Sequence, residues 1–205
     1  EDDDVRVLDK CPPGELHLLQ GFTNHLFFHG LVPLLGRDKA MKWPLALNVV
    51  SQSYHGEVFE GNAARKLIKN SYLLQSPEVM NDIDPLAVQP YISAFKAMDA
   101  LVSSCFGTHK VKGNVSELVE NLTRTYLGLH ISITLKMHVI FEHLVPCLLN
   151  LGGEGLGLYS EQAGESIHRQ FLKHYWEKYK INLLDHPKYG EALFNSVVEF
   201  SSRHL

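Results

Sequence analysis

The chain has 205 residues, enough for one large domain or two small ones with a real core, and its 45% hydrophobic and 20% charged content is that of a globular protein in water. No apolar run reaches the ~18 residues that span a bilayer, and the opening EDDDVRVLDK has no secretory pattern. A formal net charge of −4 argues against a chain that is basic throughout, the usual state of a dedicated nucleic-acid domain.

Cations do gather locally: Arg65, Lys66 and Lys69; Lys110 and Lys112; Arg169, Lys173, Lys178 and Lys180. On composition alone these are solvated helix faces. The three cysteines, Cys11, Cys105 and Cys147, are widely spaced and never form a CxxC. That pattern fits inert thiols in a reducing compartment, hence a nuclear or cytoplasmic setting. The sequons at Asn114 and Asn121 fall on or beside a helix, which leaves secretion the lesser reading.

In chain order, residues 1–14, with Asp2, Asp3, Asp4 and Asp9, read as an acidic, disordered lead. Residues 15–35 set Leu16, Leu19, Phe22, Leu26, Phe27 and Leu31 near a 3.6 period and predict a helix ending at Gly36. A second helix is expected over 39–54, with Pro44 able to delay its start. EGNAARKLIKN opens a third near 60–73, and SPEVMNDIDP is a connector. Pro85 or Pro90 begins a long helix that ends near Phe106 and Gly107. After the loop THKVKGN, Asn114 or Ser116 caps a helix with Val115, Leu118, Val119, Leu122 and Tyr126 on its apolar side.

HISITLKMHVIFEHLVPCLLNLGG continues apolar to a glycine stop. Its β-branched start would suit a strand, but its length favours a helix. GGEGLGL lacks the lysine of a phosphate-cradling loop and reads as a flexible approach to the next helix. A last helix is expected from about 188 to 203. Without sustained strand alternation, the chain is all-α or nearly so: one helical domain over 15–205, divisible into 15–150 and 157–205.

Within 157–205, Glu161 and Glu165 lie one helical turn apart and share a face. Tyr159, Ala163, Ile167, Phe171 and Tyr175 form the opposite, core-facing ridge. Two such carboxylates are either metal ligands or a solvated ridge in which Glu165 pairs with Arg169.

Four stretches in order raise the first reading: ELHLLQGFTNHLF (15–27), VFEGNAARKLIKN (58–70), HVIFEH (138–143) and YSEQAGESIHRQF (159–171). Together they resemble the C-terminal part of the catalytic core of the V(D)J recombinase large subunit and of Transib-type transposases. The resemblance implies a DDE recombinase, with the helical part of an RNase-H-like catalytic core in this chain. In that family two aspartates and a glutamate hold two Mg²⁺ (or Mn²⁺) ions for phosphodiester cleavage and transfer. Matched on ESIHRQF, the glutamate is Glu165; matched on YSE, it is Glu161, and Glu165 is preferred with Glu161 as helper.

The resemblance further implies DNA phosphate contacts at Arg65, Lys66, Lys69, Arg169 and Lys173, and a zinc shared by His138 and His143 with a CxxC. Both aspartates and the CxxC should lie upstream of residue 15, where EDDDVRVLDKCPPG leaves no room for an RNase-H-like sheet. The chain is therefore expected to be a fragment or a domesticated remnant, inactive alone and dependent on a missing catalytic part or a partner, possible self-association included. On a regular helix His138 and His143 would point about 140° apart, a poor spacing for one metal. The alternative is a non-catalytic helical module for protein interaction or oligomerisation.

Overall fold

The computed structural model describes residues 12–52, 57–81, 83–159, 171–181 and 186–204. The chain forms two compact units, Glu1–Ser160 and Glu161–Leu205. The fold is all-α. Among the described residues, β structure is limited to two isolated antiparallel bridges, Gln52 with Val58 and Lys110 with Glu154. Among them, too, no helix is long and apolar enough to cross a membrane.

In the first unit α1 (Glu15–His25) runs into a π-helical turn, Leu26–Leu31, and then α2 (Val32–Leu35). Gly36, at φ +79°, breaks the run, a conformation glycine adopts at little cost. The expected helix over 15–35 is thus present, with one over-wide turn. α3 (Arg37–Ala46) is shorter than the expected 39–54: it holds Pro44 in its last turn, and the chain leaves the helix at Leu47. α4 (Gly61–Lys69) is followed by a 3₁₀ turn, Ser71–Gln75, where 60–73 was expected as one helix.

The long α5 (Pro85–Cys105) is the centre of the unit. Asp84 caps it, accepting from the Leu86 N–H at 2.9 Å, and Pro85 takes the first helical position, where no N–H is needed. Pro90 also lies inside the helix. The carbonyl it leaves without a donor belongs to Leu86, an 80% exposed residue, so water can take that place.

α5 packs against α4, the first π turn and α6 (Val115–Leu127). α6 is capped by the Asn114 side chain, which accepts from the Glu117 N–H at 3.4 Å. Residues 131–134 lie outside any helix, and Thr134, in extended conformation, caps α7 (Leu135–His138). A second π turn, Val139–His143, leads into α8 (Leu144–Asn150).

The core is aromatic. Trp43, Phe22, Phe27, Phe59, Phe95 and Tyr126 are fully buried, each worth roughly 1.5–3 kcal/mol of burial. Their rings meet edge to face, as quadrupoles prefer: Phe22 on Phe95 at 5.9 Å and Phe27 on Phe59 at 5.0 Å. The Trp43 indole N–H donates to the Asn70 carbonyl at 3.2 Å, so its polar edge is not orphaned.

In the second unit a π turn, Phe171–Trp176, and α9 (Glu177–Tyr179) pack on α10 (Tyr189–His204). Phe171 and Tyr175 both meet Phe200 edge to face, at 5.7 and 5.2 Å. Lys178 pairs with Glu199 at 2.8 Å. Tyr159, expected on the core ridge with Phe171 and Tyr175, belongs instead to the first unit, where it is exposed in a 3₁₀ turn, Leu156–Tyr159.

Candidate nucleic-acid interface

The cationic candidates of the first unit sit on α4. Its pattern is strictly two-sided: Ala64, Leu67 and Ile68 are buried, while Asn62, Arg65, Lys66 and Lys69 are exposed. At 100° per residue the four polar positions fall within about 100° of arc, one face. Its first residue is Gly61, where a Cβ would meet the Leu16 side chain of α1. Lys66 and Lys69 occupy the last turn, where positive charge complements the helix dipole. That accounts for their effect on α4, not for their lack of partners. Among the described residues, Arg65, Lys66 and Lys69 make no side-chain hydrogen bond or ion pair.

Arg65 lies against the loop that leaves α5: its guanidinium stands 3.5 Å from the position of a Cβ on Gly107. Gly107, at φ +64°, donates its N–H to the buried Glu15 carboxylate at the start of α1. The loop is then pinned on its far side by the glycine-rich segment. Val111 N–H donates to the Gly153 carbonyl at 3.0 Å, Gly155 N–H to His109 at 3.2 Å, and Gly157 N–H to Thr108 at 3.0 Å. A Cβ on Gly155 would overlap the Thr108 carbonyl oxygen, and one on Gly157 would stand 2.6 Å from the Gly107 carbonyl carbon. These glycines therefore permit a close backbone approach and fix GEGLG against the loop, where the sequence reading expected a flexible lead.

The histidines come in pairs. His138 is exposed and His143 buried, yet their ring centroids are 5.1 Å apart, edge to face. The unfavourable α-helical spacing is overcome by the π turn between them: its i→i+5 hydrogen-bond register stacks residues five apart. Cys147 is buried one turn further on. The described residues contain no group of three or more histidine, cysteine or acidic side chains able to hold a metal. Two imidazoles are half of a tetrahedral zinc site.

In the second pair, His25 and His29 lie 4.7 Å apart. The His25 Nε2–H donates to the Ser132 carbonyl at 3.0 Å, which also accepts from the Tyr126 hydroxyl at 2.7 Å. Burial, and then the neighbouring His29, lower the His25 pKa, against the raising effect of its bond to Ser132.

Of the remaining candidates, Lys173 is exposed in the π turn of the second unit. Glu161, Glu165 and Arg169 lie outside the described residues. The structure thus brings together Arg65, Lys66 and Lys69 on one face, and His138 with His143. What sequence reasoning missed is the pairing of THKVKGN with GGEGLG. Its only signals were a basic alternation in one segment and clustered glycines in another.

No protein-family model, curated protein or solved structure matches the chain.

Proposed function

We infer that the chain is a transposase-derived helical protein that binds the phosphate backbone of duplex DNA through the exposed face of α4. The observation that carries this reading is the set of three cations, Arg65, Lys66 and Lys69, exposed on one face and without a partner among the described residues. Ordinary surface lysines and arginines gain little from pairing, so lone cations are common. Three on one helical face, on a rigid scaffold, have the geometry of a backbone-positioning surface. A net charge of −4 then confines binding to this local field.

The family resemblance adds the catalytic side of the reading. Glu165, with Glu161 as helper, would supply the carboxylate of a DDE site, and the two aspartates would come from outside residues 15–205. Those carboxylates would hold Mg²⁺ or Mn²⁺, which would supply activation of an attacking oxygen and charge stabilisation of a leaving one. His138 and His143 would give two ligands to a structural zinc, and its other ligands would come from beyond the described residues.

The test is equilibrium binding of the full chain to a fluorescent DNA duplex across a salt series. The expected result is affinity that falls steeply with salt, and a shallower slope in the Arg65→Ala, Lys66→Ala, Lys69→Ala variant. Absence of binding at low salt refutes the reading.

One feature favours the alternative of a protein-interaction module. An open groove of about 750 Å³ runs along α6, lined by Val119, Leu127, Phe141 and Val145 with Glu120 and Arg124 also on its walls. An apolar floor with charged groups beside it is the form that takes an amphipathic helix.

A further inference from the structure

Lys110 and Lys112 flank Val111 in the loop pinned between α4 and the glycine segment. Val111 packs against the core, whereas both lysines are exposed. Val111 is half-buried between two exposed neighbours, so Lys110 and Lys112 lie on the solvent side of the loop. Among the described residues neither has an ion-pair or hydrogen-bond partner.

The two carboxylates that meet this loop bond to groups other than its lysine side chains. Glu15 is 3% exposed and accepts the Gly107 N–H. Glu154 bridges Lys110 through the backbone, and its carboxylate accepts from the Tyr159 hydroxyl at 2.7 Å. Among the described residues, neither carboxylate forms an ion pair with Lys110 or Lys112. The loop is also held at both ends: the Lys112 N–H donates to Ser104 at 3.0 Å, and the Gly157 N–H holds Thr108. Arg65 stands against Gly107, three residues before Lys110.

We propose that residues 107–112 are a second arm of the phosphate-binding surface, in which Lys110 and Lys112 each hold a backbone phosphate of the duplex that α4 contacts. This rests on the DNA-binding reading and extends it from a helix face to a helix-and-loop cradle. The cradle is assembled before the ligand arrives, because the glycine segment leaves the loop no room to withdraw, so binding orders little new backbone. Lys110 and Lys112 add charge and register, not base recognition.

The experiment is the same salt series on two sets of variants, with thermal unfolding of each as a control for the fold. Each phosphate contact contributes about 0.9 to the slope of log affinity against log salt. Lys110→Ala with Lys112→Ala should therefore lower the slope by ~1.8, and the α4 triple variant by ~2.7. The charge reversal Lys110→Glu with Lys112→Glu should weaken binding further at low salt. An unchanged slope in the loop variants beside a reduced slope in the α4 variant overturns the second arm and leaves the DNA-binding reading standing. A wild-type chain without salt-dependent affinity overturns both.

Discussion

At Gly157 a Cβ would stand 2.6 Å from both the Gly107 carbonyl carbon and the Thr108 nitrogen, backbone atoms that cannot rotate away. Gly157→Ala should therefore cost about 2 kcal/mol, the scale of overpacking. Gly190, inside α10, has open space where its Cβ would go. Gly190→Ala should stabilise that helix by roughly 0.5–1 kcal/mol through propensity alone. Urea unfolding of the two variants separates these opposite signs. A second residue-scale effect is alkaline. Burial, with the Glu15 carboxylate adding to it, pushes the Cys105 thiol from 9.0 up to about 12. The unfolded chain releases this proton first, so the full contribution is present below about pH 9 and is lost as pH rises toward 12. The buried Tyr126 hydroxyl, raised from 10.0 to about 12, acts in the same direction in the upper part of that window. Urea midpoints should thus fall from pH 9 to 11, less steeply in Cys105→Ala. A midpoint flat with pH in the wild type would remove the assignment.

At the scale of elements, the helix ends were legible because their signals are local. Pro85 opens α5 behind an Asp84 cap and Asn114 caps α6, each cap bonding to an N–H within three residues. The apolar spacing of 15–35 likewise located a helical run whose Leu19, Phe22, Leu26, Phe27 and Leu31 are all buried. The π turns were not legible: one extra residue per turn leaves the apolar count almost unchanged, and only packing decides where it goes. Their effect on side chains is nevertheless large, since the Val139–His143 turn converts an α-helical divergence into a 5.1 Å histidine pair. If that pair holds zinc, the purified full chain should carry it near 1:1 by elemental analysis. His138→Ala, at an exposed position, should lose the metal without loss of the fold. A wild-type chain that takes up no zinc from micromolar solution ends the zinc reading. The non-helical 131–134 was also misjudged, because length outweighed the β-branched run of Ile131, Ile133 and Thr134.

For the whole molecule, charge and topology act together. A chain of net charge −4 can hold DNA only where cations are concentrated. Around α4 and the loop after α5, Glu15 and Glu154 accept hydrogen bonds from Gly107 and Tyr159 and form no ion pair with Arg65, Lys110 or Lys112 among the described residues. Sequence supplied the cation clusters but not their adjacency, because residues 65 and 107 are far apart along the chain and are joined only by folding. The carboxylate pair at Glu161 and Glu165 remains a reading of sequence, since both lie outside the described residues.

The bond from Gly107 to Glu15 spans 92 positions of the chain. It makes the first turn of α1 a strut for a distant basic ribbon. Trimming the protein to begin at Leu16, or replacing Glu15 with a residue that cannot accept, would loosen a surface that neither change touches. The N-terminal boundary chosen for any shortened version thus sets how firmly its cations are presented.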